Sequence, residues 1–174
     1  MRPTVRDAVV LRTRGGRRYE VFHRMTTEPK ALVRRDPEEI WTAGNLDAID
    51  ELFADGFVLH DPSTDGESRG RDDYREYVET YRAAFPDVEY EVESIVAEGG
   101  IVALRYTAGG THEGEFMGIA PTGERVSVSG MEQYRVEDGR IVEMWTSYDA
   151  LGLFQQLGVV PPLEELGDGA SPEA

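Results

Sequence analysis

The feature that most limits the fold is a run of apolar–polar alternation, cut by glycine turns, that fills the second half of the chain. Val88, Tyr90, Val92 and Ile95 mostly alternate with acids, and Gly99-Gly100 turns the chain into Ile101–Ala108. Arg125–Val136 then meets Arg140–Tyr148 across Glu137, Asp138 and Gly139. Alternation with a period of two marks strands with one buried face, and Gly-Gly or Asp-Gly between two such runs marks a hairpin. Between the hairpins, Gly109, Gly110, Gly114, Gly118 and Gly123 punctuate a bent or bulged stretch. A meander of long strands must cover its buried face, and the segments before it supply the cover.

Those earlier segments have helical spacing. Between Glu28 and Ala54, Leu32, Ile40 and Trp41 form one apolar face; Gly44-Asn45 breaks it, and Asp47, Ile49, Leu52 and Phe53 restart a second short helix. Phe57–His60 reads as a short strand stopped by Asp61-Pro62, with a polar loop running to Gly70. Residues 71–85 place Tyr74, Tyr77, Val78, Tyr81 and Phe85 on one helical face, and Pro86 ends it. A short helix over Ala150–Leu157 follows the strands. The order predicts an α+β domain over residues 28–160, with N-terminal helices on one face of a curved antiparallel sheet. Residues 1–27 form a basic extension, expected to lie on the acidic body or stay disordered, with Met25 as an alternative first residue; 161–174 is an acidic tail.

Charge excludes one class of partner. The chain carries 34 acids against 18 basic groups, a net of −16. Its first 35 residues are basic, with ten basic groups and three acids, so the remaining body carries −23. Such a body repels phosphate backbones, and nucleic acid is not an expected partner. A single lysine (Lys30) among so many acids predicts a halophilic protein, because screening shortens to about 3 Å in 1 M salt. An acidic protein of ordinary cytoplasm is the alternative. There is no cysteine, so disulfides, thiolate metal sites and thiol nucleophiles are excluded. Three histidines do not suggest a histidine-rich metal centre, mixed carboxylate sites remain open, and no apolar run approaches a membrane span. A cytoplasmic protein without membrane contact is expected.

Three stretches carry a resemblance. The first holds Trp41, Gly44, Asn45, Leu46 and Asp47, then Phe57–Pro62; the second runs from Gly110 to Gly123; the third runs from Val126 through Trp145 to Gly152. Together they resemble the SnoaL-like polyketide cyclases, or ester cyclases, over roughly residues 30–160. The resemblance implies a cone-shaped fold of the nuclear-transport-factor-2-like type, a homodimer, and an apolar pocket for a small hydrophobic or aromatic ligand. It also implies an intramolecular aldol ring closure without metal or cofactor. In the family pattern the carboxylate that takes the substrate proton follows the Trp145 position, where this chain has Thr146. Two functions therefore stand: a cofactor-free acid–base cyclase or isomerase acting on a polyketide-type or other apolar ester, and a non-catalytic small-molecule binder.

Candidate residues follow from both lines. Glu132 shares a strand face with Val126, Val128, Gly130 and Tyr134; facing inward it is a carboxylate suited to proton transfer, facing outward a solvated sheet residue. His60, at the cone mouth, is an acid–base candidate or a histidine bound to the next loop. Asp149 orients a base or caps the last helix. His112 matches a histidine of some cyclases, but its glycine-rich surroundings suggest an exposed bend. Arg105 interrupts an apolar strand, as a buried ion-pair partner or a ligand for a carboxylate or enolate. Trp41, Tyr81, Phe116, Met117 and Trp145 are candidate apolar walls, with Thr146 beside them, or ordinary core. An epoxide hydrolase would need Arg105 to meet Asp61 and Asp149.

Overall fold

The computed structural model describes residues 9–12, 18–21, 27–64 and 67–162. Met25, the Gly15-Gly16 break and residues 163–174 of the tail lie outside them. In the extension, β1 (Val9–Arg12) pairs antiparallel with β2 (Arg18–Val21). The domain begins with α1 (Thr27–Arg35), a π-helical segment (Asp36–Thr42) and α2 (Ala48–Leu52). Next come β3 (Phe53–His60), β4 (Glu67–Arg69) and α3 (Arg71–Ala84). The strands β5 (Glu89–Glu98), β6 (Ile101–Thr111), β7 (Arg125–Glu137) and β8 (Arg140–Tyr148) follow, then α4 (Ala150–Gln156).

Six strands make one sheet in the order β4-β3-β8-β7-β6-β5. The β5–β6 and β7–β8 hairpins close through Gly99-Gly100 and Asp138-Gly139, with positive φ at both positions of each turn. That is the hand of turn that matches strand twist, and it explains why an aspartate tolerates φ of 49° at Asp138. Register shifts at Val92/Ser94 and Arg135/Val136 bend the sheet, so its concave face wraps the helices. Val102, Leu104 and Tyr106 of β6 and Tyr134 of β7 are buried there with Phe53, Phe57, Tyr74 and Val78. A second cluster, built on Phe85, Phe116, Val126 and Leu153, fills the other end.

The α+β architecture of the sequence reading is observed, with three differences of detail. The second short helix ends at Leu52, and its expected continuation is already β3. The polar loop before Gly70 contains β4, a strand of three residues too short to show alternation. The sheet is also not wholly antiparallel: β3 lies parallel to β8, because the whole meander separates them in sequence.

Candidate active site

A cavity opens between α3, the π-helical segment and the concave sheet. Its walls are aromatic: Trp41, Tyr77, Tyr81, Tyr90, Tyr106 and Tyr148 line it, with Val126, Val128 and Met144. About 60 Å³ is open to the centre of a water molecule. One water needs ~10–15 Å³ on that measure, so the space admits several waters or a flat group in contact with the rings. Gly130 keeps it open, since a methyl group there would collide with the Tyr106 hydroxyl.

Glu132 and Thr146 face into this cavity from paired positions on β7 and β8. Glu132 is only 4% exposed, and its Oε2 lies 2.6 Å from the Tyr134 hydroxyl. Among the described residues nothing bonds its other oxygen, Oε1. The Tyr134 hydroxyl also lies 2.8 Å from Oδ2 of the fully buried Asp36. Asp36 Oδ1 accepts from Tyr74 at 2.7 Å, and the Tyr74 oxygen accepts from the Trp41 indole N–H at 3.1 Å. Burial, and then the negative charge of Asp36, push Glu132 up to about 8. Burial likewise raises Asp36 to about 6, against the lowering effect of its two tyrosine hydrogen bonds. At neutral pH Glu132 is thus chiefly an acid and Asp36 chiefly a carboxylate.

The solvent side of the cavity has a second set of polar contacts. Tyr81 and Tyr148 hydroxyls meet at 3.2 Å, and Tyr148 donates to Ser63 Oγ at 3.2 Å. Asp61 accepts from Ser63 Oγ at 2.7 Å and from Tyr77 at 2.8 Å. These bonds hold the segment after β3 against α3 and the end of β8. They form a ring of hydroxyls beside an apolar wall, which can orient the oxygens of a bound ligand.

Several residues singled out from sequence lie elsewhere. Arg105 is on the convex face, its side chain 53% exposed and paired with Glu93, so it is neither buried nor near Asp61 and Asp149 in a shared site. Trp145 points to the same convex face, where it stacks on His60 at 5.1 Å. His60 Nε2 pairs with Glu143 Oε1 at 2.9 Å, away from the cavity. Inward positions on β8 are Met144 and Thr146, so Trp145 between them must face out. Phe116 is buried behind the wall, against Tyr81 and Phe85, and Met117 is 48% exposed at a positive φ. His112 is fully buried rather than on an exposed bend. Its Nδ1 accepts from the Thr122 backbone N–H at 3.2 Å, its ring packs on Phe85, and its Nε2 is unpaired among the described residues. Asp149 accepts from the Gly152 N–H at 2.8 Å and caps α4.

Asp36 was not a sequence candidate. It sits in an acidic helical stretch, where an aspartate before a proline reads as a first-turn residue. Tyr74 and Tyr134 were visible only as core. Among the described residues no group of three or more His, Asp or Glu side chains could hold a metal ion. No helix among them is long and apolar enough to cross a membrane.

Comparison with known proteins gives the family of this fold. The family profile of the SnoaL-like polyketide cyclases matches residues 31–157. A curated relative, aklanonic acid methyl ester cyclase DauD of Streptomyces sp. (strain C5), is 31% identical over 142 residues, covering 77% of this chain and 84% of its own. Among solved structures, AclR of Streptomyces galilaeus, a candidate hydroxylase, is 36% identical with a TM-score of 0.71, over 83% of this chain and 94% of that one. IdmH of Streptomyces antibioticus, a candidate polyketide cyclase, is also 36% identical, with a TM-score of 0.67, over 75% and 99% of the two chains.

Proposed function

The chain belongs to the SnoaL-like polyketide cyclase family, and from that premise we propose that it closes a ring in a flat, apolar ester by proton transfer at Glu132. The observation that carries this reading is a buried carboxyl, bonded on one side only, facing an aromatic cavity. In an intramolecular aldol reaction a carbon acid beside a carbonyl loses its proton, and the C–H pair becomes an enolate. The enolate carbon attacks a second carbonyl, a C–C bond forms, and the resulting alkoxide takes the proton back. In this reading Glu132, once it has given up its own proton, carries the substrate proton in both directions, and a carboxyl raised to about 8 supports that role near neutral pH. Tyr81 and Tyr148 offer hydroxyls to the ester or carbonyl oxygens on turning from their bonds to one another and to Ser63, and the rings of Trp41 and Tyr90 offer flat faces. The substrate named for DauD, aklanonic acid methyl ester, is the natural probe.

The test is turnover of that ester by the native protein and by Glu132→Gln. We expect the variant to lose on the order of 10²–10⁴-fold in kcat. Equal turnover by both would overturn the assignment. Thr146 favours a second reading, a binder on the same scaffold, because a buried hydroxyl stands where the family pattern has its carboxylate. Calorimetric binding of the ester by the native protein, without turnover, would select that reading.

The assembly we propose is a homodimer through the convex sheet face. Met131 of β7 and Val96 of β5 are each 63% exposed on the described chain, and a second copy would cover them. Sedimentation of native protein against Met131→Glu tests it: a native dimer and a monomeric variant are expected, and a native monomer would refute it.

A further inference from the structure

We propose that Asp36, Tyr134 and Glu132 act as one proton-sharing unit. In it Asp36, out of a ligand's reach, takes the Glu132 proton through the Tyr134 hydroxyl and readies Glu132 Oε1 to accept one from the substrate. This rests on the acid–base reading above and names the positioning residue behind it.

Proton counting gives the first reason. The Tyr134 hydroxyl lies within hydrogen-bond distance of Glu132 Oε2 and of Asp36 Oδ2. It has one proton to donate, and two carboxylates cannot both be satisfied by it. One carboxyl must therefore be protonated and donate to the tyrosine oxygen. Asp36 already accepts from Tyr74 on its other oxygen, so it is the better-served anion, and Glu132 is the acid. In that form Glu132 Oε2–H donates to Tyr134, and Tyr134 O–H donates to Asp36.

A relay gives the second form without changing the total charge. The Glu132 proton moves to the tyrosine oxygen as the tyrosine proton moves to Asp36 Oδ2. Glu132 is now a carboxylate, still held at Oε2 by the tyrosine O–H, with Oε1 bare on the cavity. It accepts the substrate proton there, the C–H electron pair passes to the enolate, and the same proton later moves from Oε1 to the new alkoxide. The reverse relay restores the first form, so every proton is accounted for.

The surroundings keep a single proton on the pair. Tyr74 from α3, Tyr90 from β5, Tyr106 from β6 and Tyr134 from β7 are the titratable groups that face the carboxyls, and all four are pushed upward by burial and therefore neutral. Among the described residues no arginine or lysine acts on either carboxyl. Two buried anions without a cation repel, so their protons leave in separate steps, and between about 6 and about 8 the pair holds one. The backbone serves this arrangement, since the π-helical segment puts Asp36 and Trp41, five residues apart, on the same buried face.

The experiment is a carbon-13 carboxyl NMR titration of Glu132 in the full chain, with kcat and KM for aklanonic acid methyl ester measured against pH. It is run on native protein, Asp36→Asn and Tyr134→Phe. In native protein Glu132 should titrate in two steps, and kcat/KM should be bell-shaped, because above the second step another anion faces the developing enolate. In Asp36→Asn a single step should remain, at lower pH by roughly one unit or more, with one ascending limb and kcat down roughly tenfold or more at unchanged KM. Tyr134→Phe keeps both carboxyls and their repulsion but cuts the relay, so it should keep the split titration while lowering kcat roughly tenfold or more at unchanged KM, and native kcat in it would also overturn the relay. A single Glu132 step that Asp36→Asn leaves in place would overturn the proposal. Two steps without turnover would sink the acid–base reading and, with it, the substrate step proposed here, while preserving the proton sharing.

Discussion

A carboxyl buried without a cation alters the pH dependence of folding as well as the chemistry of a site. Asp36 and Glu132 bind their protons more tightly in the folded chain than the ordinary values of 3.8 and 4.5 would have it. Their contribution to stability is therefore complete below about pH 4 and is lost as pH rises through about 6 and about 8. Glu39, Asp87 and Glu143 are lowered by their partners and act in the opposite sense, but only as pH falls below the usual carboxylate range. Urea midpoints at pH 5 and pH 8, in constant high salt, bracket the titration of the buried pair, and a double variant of the pair separates it from the histidines. We expect native protein to lose on the order of 3 kcal/mol across that interval, and the Asp36→Asn/Glu132→Gln double variant to lose much less. Equal losses would mean that the pair is not shifted. Residue-level legibility in the sequence depended on parity. Glu132 shares its parity with Val128, Gly130 and Tyr134, and all of these face inward. The same rule, applied to Arg105 between Leu104 and Tyr106, puts it outside; the apolar Ile101 and Ala103 on the convex face hid that signal. Asp36 had no such signal, because its partners come from strands and helices up to 98 positions away.

The π-helical segment is the element on which the site depends most. Its wider turn is held by Thr42, whose hydroxyl donates to the Pro37 carbonyl five residues back, at 2.9 Å. The same oxygen accepts the Tyr90 backbone N–H at 3.0 Å. Strand β5 is at the edge of the sheet, so one threonine supplies the bond that a further strand would have made. Thr42→Val keeps the shape and removes both side-chain bonds, leaving the half-buried Tyr90 N–H unpaired. The expected loss is about 1–3 kcal/mol in a urea melt. A matching red shift of Trp41 fluorescence is expected, because its ring rests on Tyr90 at 5.2 Å and would follow the loosened strand. A variant with native stability and an unchanged spectrum would show that the wide turn does not need this anchor. Sequence patterns at this scale were informative for β5 to β8, where alternation runs for nine to thirteen residues. They failed for the π-helical segment, since a period wider than 3.6 cannot be told from an ordinary helix over seven residues.

For the molecule as a whole, charge and shape pull in opposite directions. The arginines of the body are drawn into pairs, such as Arg135 with Glu143 at 2.8 Å and Arg71 with Asp55 at 2.8 Å, yet the acids far outnumber them. The surplus repels itself within one chain and would repel a second chain on the convex face, the proposed dimer contact, where Met131 and Val96 are exposed. Both costs shrink when salt shortens the range of the repulsion from about 10 Å at 0.1 M to about 3 Å at 1 M. Raising KCl over that interval should therefore raise the thermal midpoint and the dimer fraction together. Two variants separate the causes. Met131→Glu should keep the midpoint gain that belongs to the single chain while staying monomeric at every salt concentration. Replacing the exposed Glu91 and Glu98 of β5 by glutamine should lower the salt needed for half-dimerisation, since it removes charge beside the face without touching the cavity. A midpoint and a dimer fraction that do not respond to KCl would show that the acidic surplus limits neither folding nor assembly, and would leave the uneven charge without a physical role.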